Sequence, residues 1–197
     1  MAGYGMRPSL FASGGYNSGG FTEYPIVDGD ATNMFAGHFM LQGANGYVTE
    51  LGVTPTGASS AASTIGVAMG FRYVDATGTP VWNQYYAGNA NNTEAFAFIA
   101  DDPTQQFLIQ QDAVGSRVDQ AGVGLNAPVV QGTGNVNTGL SGMVLDSSGA
   151  APTATFALRI VSIPKDGTNE NAIGTTVNNL LVQINPAVHQ RLRSTGL

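Results

Sequence analysis

The sequence has no cysteine and few charged side chains. Without cysteine, disulfides and thiolate metal sites are excluded. Asp, Glu, Lys and Arg make up 10% of the chain, against about 25% in ordinary soluble domains. Free monomers keep apart largely through surface charge. A polar surface with little charge is therefore typical of a protein that lies against other protein surfaces.

The sequence also lacks a long apolar run. No stretch of about 18 apolar residues exists, so we expect no membrane span. The first 20 residues lack the continuous apolar core of a signal peptide, so we expect the protein to stay in the cell that makes it until assembly or lysis.

Few residues are suited to catalysis. The two histidines, His38 and His189, are far apart in sequence, which makes a weak case for a metal site. The only lysine, Lys165, lies in a polar stretch and not in the apolar pocket that a Schiff-base lysine needs. Residues 122–127 match the letters of a dinucleotide fingerprint, but Pro128 argues against the helix that must follow. We therefore expect no enzyme, no cofactor and no metal.

Two pairs of acids stand out. Asp28 and Asp30 resemble the start of a calcium loop, but the turn glycine and the last glutamate of an EF-hand are missing. Asp101 and Asp102 precede a proline, which is typical of a turn. We expect turns at both places, and a carboxylate enzyme around Asp28 and Asp30 is the alternative.

The net charge of −6 is unevenly distributed. Residues 1–22 contain Arg7 and no acid, and residues 171–197 contain Arg191 and Arg193 and no acid. The middle is acidic, which disfavours nucleic acid because phosphate binding needs clustered Lys and Arg. The basic ends either dock on an acidic partner or have no particular functional role.

The chain after residue 23 has the pattern of a β-protein. Residues 35–42 and 47–53 flank one turn sequence, and residues 65–74 and 79–86 flank a second, clearer one. Further strands are predicted at 96–100, 106–111, 140–145, 153–163 and 180–184. The prediction is an all-β fold, with a single β-barrel or β-sandwich domain over residues 24–185. A short C-terminal tail, 186–197, has room for one helical turn.

Residues 1–23 are predicted to form an extended N-terminal arm. The segment is rich in glycine, so ordering it has a high entropic cost, and bulky residues punctuate it. Because it cannot bury much of itself, we expect a neighbouring subunit to hold it. The predicted partner-binding residues of the arm and the tail are Tyr4, Arg7, Leu10, Phe11, Tyr16, Phe21, Arg191 and Arg193.

A second group of aromatic residues lies in the clearer hairpin. The two-residue period of a strand predicts Trp82 and Tyr86 on one face and Tyr85 on the other. Such a stripe favours core or subunit interface. Glycan binding is the alternative, because exposed aromatic rings often stack on sugars.

The order of these features resembles small virion structural proteins of tailed bacteriophages, among them capsid decoration (cement) proteins and including marine and cyanobacterial types. The segments that carry the resemblance follow the glycine-rich start: 24–27, 35–41, 46–48, 70–82, 98–110, 181–185 and the tail from Arg191 to Ser194.

The resemblance implies a β-domain on the outer capsid surface, commonly a homotrimer, whose arms clamp neighbouring copies of the major capsid protein. It would be made in the host cytoplasm and would bind neither nucleic acid nor membrane. Many weak contacts around a lattice axis would add up to slow release. A tail, neck or fibre component of the virion is the alternative within this class.

Overall fold

The computed structural model describes residues 3–17, 20–51, 64–113, 118–164 and 177–192. In these ranges the protein has fifteen β-strands, two 3₁₀ turns and no α-helix. The strands are β1 Arg7–Phe11, β2 Thr22–Pro25, β3 Met34–Phe35, β4 Phe39–Gln42, β5 Val48–Glu50, β6 Thr64–Val74, β7 Pro80–Asn83, β8 Tyr85–Tyr86, β9 Thr93–Ala100, β10 Gln105–Gln110, β11 Asn126–Ala127, β12 Val129–Val130, β13 Val144–Leu145, β14 Leu158–Ser162 and β15 Asn179–Ile184. The 3₁₀ turns are Gln120–Gly122 and Gln190–Leu192.

The turn between β6 and β7 is built from local sequence. The Asp75 Oδ1 atom accepts hydrogen bonds from the backbone N–H groups of Thr77, at 2.8 Å, and Thr79, at 3.0 Å. Gly78 has a φ of 83°, in the left-handed region that glycine occupies without strain. Antiparallel pairing then begins with Val74 opposite Pro80. The predicted hairpin is confirmed, and so is the earlier one, between β4 and β5.

The larger sheet has six antiparallel strands. Its order is β2-β9-β6-β4-β5, and β7 also pairs with β6. The eleven-residue strand β6 is central and contacts β4 near its start and β7 near its end. The two ends of β6 therefore have different pairing partners, which are β4 at its start and β7 at its end.

The second sheet has five antiparallel strands in the order β1-β10-β15-β14-β11. Its buried apolar residues alternate along the strands, with Phe107 and Ile109 on β10 and Leu180 and Val182 on β15. This is the two-residue period of a sheet with one face in the core.

Two apolar cores lie on opposite faces of the six-stranded sheet. Val67 and Ala100 belong to the core shared with the five-stranded sheet. Their neighbours Ala68 and Ile99 belong to the other core, which the β3–β8 pair helps to cover. The fold is all-β and sandwich-like, as predicted, and the sheets of the described residues do not close into a barrel.

The N-terminal segment is extended, but it is held by its own chain. Strand β1 pairs with β10 as an edge of the five-stranded sheet. Met6 is 1% exposed in the core, and its N–H donates to the Gly37 carbonyl at 3.1 Å. Gly5 and Gly37 allow this approach, because a Cβ on Gly5 would lie 3.0 Å from the Gly37 Cα. The expectation that only a neighbouring subunit can order this segment is wrong for residues 3–17.

The described part of the chain contains no helix of the length and apolar character that a membrane crossing requires.

Candidate functional site

Residues 7–17 form a compact turn that we call the N-terminal hairpin. The Phe11 N–H donates to the Gly15 carbonyl at 2.7 Å, and Leu10 and Tyr16 form an antiparallel bridge. The Asn17 side chain donates to Gln105 Oε1 at 2.8 Å, which ties the hairpin to β10. Tyr16 nevertheless remains 81% exposed. The hairpin thus holds an aromatic ring in solvent on a fixed backbone.

The other predicted residues of this segment contact their own domain. The Tyr4 hydroxyl donates to Asn179 Oδ1 at 2.8 Å. The Arg7 guanidinium lies over the Tyr4 ring, 4.3 Å from its centroid. Leu10 and Phe11 are half-buried in β1. Tyr4, Leu10 and Phe11 therefore position the hairpin, and Arg7 remains exposed.

Phe21 lies directly before β2 and is 38% exposed. It is the second aromatic ring of the N-terminal segment that the structure leaves open to contact. Arg193 lies outside the described residues.

Arg191 is part of a polar cluster that ties the chain terminus to the larger sheet. Its guanidinium contacts the Asp101 carboxylate and donates to the Tyr24 hydroxyl at 3.2 Å. The Tyr24 hydroxyl in turn donates to Asp101 Oδ2 at 2.7 Å, and the Thr22 hydroxyl donates to Oδ1 at 3.1 Å. Burial, and then the hydrogen bond to Asp101, raises the pKa of Tyr24 above its usual value. Arg191 therefore pairs within its own domain, while 45% of its side chain remains exposed.

His189 lies beside this cluster and is fully buried. Its Nδ1 atom accepts the Arg191 N–H at 3.2 Å, and its Nε2 atom has no hydrogen-bond partner among the described residues. Burial, and then the positive charge of Arg191, lowers the pKa of His189 to about 4. The buried, neutral imidazole packs the C-terminal segment against β6, where His189 forms a bridge with Thr64.

His38 is also buried. Its Nδ1 atom lies 2.9 Å from Glu50 Oε2, which accepts a hydrogen bond from Gln131 Nε2 at 2.6 Å. The His38 Nε2 atom is enclosed and, within the described ranges, has no hydrogen-bond partner. A general base must reach the proton that it removes, so this pair is better suited to holding β5 in place.

The acid pairs adopt the predicted turns. Asp30 Oδ1 accepts the Thr32 N–H at 2.8 Å, and Asp102 Oδ1 accepts the Thr104 N–H at 2.7 Å. Across the described residues, no three His, Asp or Glu side chains come together as metal ligands. Sequence reasoning missed the role of Asp101, because its partner Arg191 is 90 positions away.

Among the residues that the structure describes outside the N-terminal hairpin, Trp82 has the most exposed ring, at 70%. Its indole stacks on Phe98, with centroids 5.6 Å apart and an interplanar angle of 21°. Beside this pair, the Arg72 guanidinium lies 3.9 Å from the Phe96 ring centroid and holds Glu23 by two hydrogen bonds, of 3.2 and 3.1 Å. We call Trp82, Phe98, Phe96, Arg72 and Glu23 the aromatic platform.

The platform follows from strand register. Arg72 on β6 lies between Trp82 on β7 and Phe96 on β9, and Gly70 lies opposite Phe98, which is opposite Glu23 on β2. All of these positions share one face of the six-stranded sheet. They lie toward the end of β6, beyond the core that this sheet shares with the five-stranded sheet. Gly70 carries no side chain, so β6 places none at the position paired with Phe98.

The prediction that Trp82 and Tyr86 lie on one face of the same strand is wrong. Strand β7 ends at Asn83, and Tyr86 belongs to β8, which pairs with β3 in a separate small sheet. Tyr86 is 0% exposed, and its ring contacts Tyr73 edge-on at 5.0 Å. The break between the strands places one aromatic residue in solvent and the other in the core.

No protein-family model, curated protein or solved structure matches this chain significantly.

Proposed function

We propose that this protein is a non-enzymatic structural subunit of a virion, which binds the outer surface of the capsid and joins neighbouring capsid subunits. The observation that carries the proposal is the N-terminal hairpin, which holds Tyr16 81% exposed on a hydrogen-bonded turn. Exposed aromatic rings on a fixed backbone are typical anchors of protein interfaces, where Tyr and Trp are enriched.

A fixed hairpin changes how the docking would work. A disordered arm loses conformational entropy when it binds, whereas a segment that is already ordered avoids much of that cost. Tyr16 and Phe21 are therefore the docking anchors of the proposal. Tyr4, Leu10 and Phe11 contact the rest of the domain and hold the hairpin in place.

The composition of the chain supports the same proposal. Only 10% of the residues are charged. Few charged groups therefore have to leave water when another protein covers the surface. Many copies around the axes of a lattice would each need only weak contacts, because linked contacts release slowly. Self-association into a homotrimer would supply such multivalency.

The test uses point variants of the full chain. Deleting residues 1–22 is a poor test, since it also removes Met6 from the core and β1 from its sheet. We expect the double variant Tyr16→Ala and Phe21→Ala to bind purified particles at least about tenfold more weakly, a loss of about 1.4 kcal/mol. The matched control, Tyr47→Ala, also removes an exposed aromatic ring and should leave binding unchanged.

Cosedimentation with particles from an infected culture, quantified against the coat protein, measures both affinity and copy number. Hundreds of copies per particle support the capsid assignment, and a few tens support a tail, neck or fibre component. Unchanged binding of the double variant would remove the role of the hairpin, and absence from particles would remove the proposal.

A further inference from the structure

We propose that the aromatic platform is a binding site for one pyranose ring of a neutral oligosaccharide. This site is separate from the N-terminal hairpin, and the inference does not rest on the virion proposal. Its centre is Trp82, whose ring is held against Phe98 on one side and is open to solvent on the other.

The geometry fits the apolar face of a sugar. A pyranose presents a flat set of C–H bonds, which pack well on the electron-rich face of an indole. The indole is already held in place by Phe98, so little rotamer entropy is lost when a ligand arrives. An ordinary exposed tryptophan without such support would have to be ordered first.

The rim of the platform fits the hydroxyl groups of a sugar. Arg72 and Glu23 are only partly buried, with side-chain exposures of 28% and 43%. Their pairing uses two guanidinium N–H groups and leaves other donors and the remaining carboxylate lone pairs free to meet hydroxyls. Hydroxyl groups both donate and accept, so an ion pair at the ring edge is a suitable neighbour for them.

The charge of the site favours a neutral ligand over an anionic one. The positive charge of Arg72 is balanced by Glu23. A second acid, Glu94, lies exposed near the start of β9, two residues before Phe96. The net charge of the whole chain is −6. Phosphate, sulfate and uronate groups would therefore be repelled.

The setting of Trp82 argues for a small ligand over a protein partner. Stable protein interfaces bury about 800 Å² on each side and surround their anchor residue with a packed ring of contacts. Around Trp82, the neighbouring phenylalanines are already covered, Phe98 by the indole and Phe96 by the Arg72 guanidinium. One open ring with a polar rim offers a stacking site of about the size of one sugar.

The chain provides its own reporter, because Trp82 is the single tryptophan. Titration with maltotriose, cellotriose and tri-N-acetylchitotriose, each up to about 20 mM, should give a saturable blue shift of the Trp82 emission with at least one of them. The expected dissociation constant is on the order of 1 mM, because one stacking contact must offset the entropic cost of association. A heparin-derived tetrasaccharide, as the anionic control, should give no shift.

Variants are compared by saturation-transfer difference NMR with the sugar that binds, since this method needs no tryptophan. Trp82→Ala should abolish the transfer, and Trp82→Phe should retain part of it. Arg72→Lys, which cannot hold Glu23 by a planar pair of hydrogen bonds, should weaken it about threefold or more. Tyr47→Ala is the matched control and should bind like the parent protein, and circular dichroism melting checks that every variant folds.

Three results would overturn the inference. The first is no emission shift with any of the three sugars. The second is undiminished transfer in Trp82→Ala. The third is a blue shift that grows with protein concentration in the absence of sugar, or on addition of purified capsid particles, which would identify a protein as the occupant of the platform.

Discussion

The indole of Trp82 stacks on the ring of Phe98 across an intervening strand, with an interplanar angle of 21°. Trp82 lies on β7 and Phe98 on β9, and β6 passes between them with Gly70 opposite Phe98. A Cβ on Gly70 would lie 3.5 Å from the Asn83 carbonyl oxygen and 3.8 Å from Phe98 Cδ2, so alanine would fit there at ordinary contact distances. The two rings therefore meet diagonally across β6, since Trp82 is paired with Arg72 and Phe98 with Gly70.

Trp82 and Tyr86 provide a test of where the two aromatic residues lie. We expect Trp82→Ala to lower the free energy of unfolding by less than about 1 kcal/mol, since the ring is mostly in solvent. Tyr86→Ala should lower it by about 3–5 kcal/mol, because it leaves a cavity and removes the hydrogen bond from the Tyr86 hydroxyl to the Asp30 carbonyl. Urea unfolding measures both values, and equal losses would contradict the separation of the two residues.

The hairpins could be predicted from the sequence because their information is local. The Asp75 carboxylate binds backbone N–H groups two and four residues ahead, and Gly78 supplies the positive φ. All of this lies inside one turn. The all-β class follows from the same kind of signal repeated along the chain.

The aromatic platform could not be predicted from the sequence, because it depends on register between strands. The two-residue period predicts Trp82 and Tyr86 on one face only if the strand is continuous, and Gln84 interrupts it between β7 and β8. The partners of Trp82 come from β6 and β9, and nothing in the local sequence identifies them. The same holds for Asp101 and Arg191, whose pairing is set by how the chain terminus packs.

The N-terminal segment shows a different limit of sequence reasoning. Its glycine content correctly indicates a high entropic cost of ordering. The cost is offset by a single well-buried anchor, Met6, and by the close approach of Gly5 to Gly37. Glycine at these two positions allows backbone contact that any side chain would block, so here it favours order.

Met6 therefore provides a test of whether the N-terminal segment belongs to the domain. We expect Met6→Ala to lower the free energy of unfolding by about 2–5 kcal/mol, as for other buried Met-to-Ala changes. Tyr16→Ala, ten residues later on the exposed turn, should change it by less than about 0.5 kcal/mol. The measurement is urea unfolding of both variants beside the parent chain. A neutral Met6→Ala would show that the segment is not docked in solution.

His189 makes the stability of the protein depend on pH. Its pKa is about 4 in the folded protein and 6.5 in its ordinary state. Between these values the unfolded chain binds a proton that the folded chain does not, so stability falls as the pH falls. From pH 7 to about pH 4.5 the expected loss is about 2 kcal/mol, with an upper limit of about 3 kcal/mol below pH 4.

The variant His189→Asn isolates this effect, because an amide oxygen can accept the Arg191 N–H but does not titrate. Two carboxylates affect stability only in a lower pH range. The pKa values of Asp75 and Asp102 are held below 3.8, chiefly by hydrogen bonds from Thr77 and Thr104. Their stabilisation is present above pH 3.8 and is lost below it. Urea unfolding at pH 7, 6, 5 and 4.5 should therefore show a steady loss of stability in the parent protein and a nearly flat profile in the variant. Parallel profiles would mean that His189 is solvated in solution, and that the chain terminus does not pack against β6 as the structure has it.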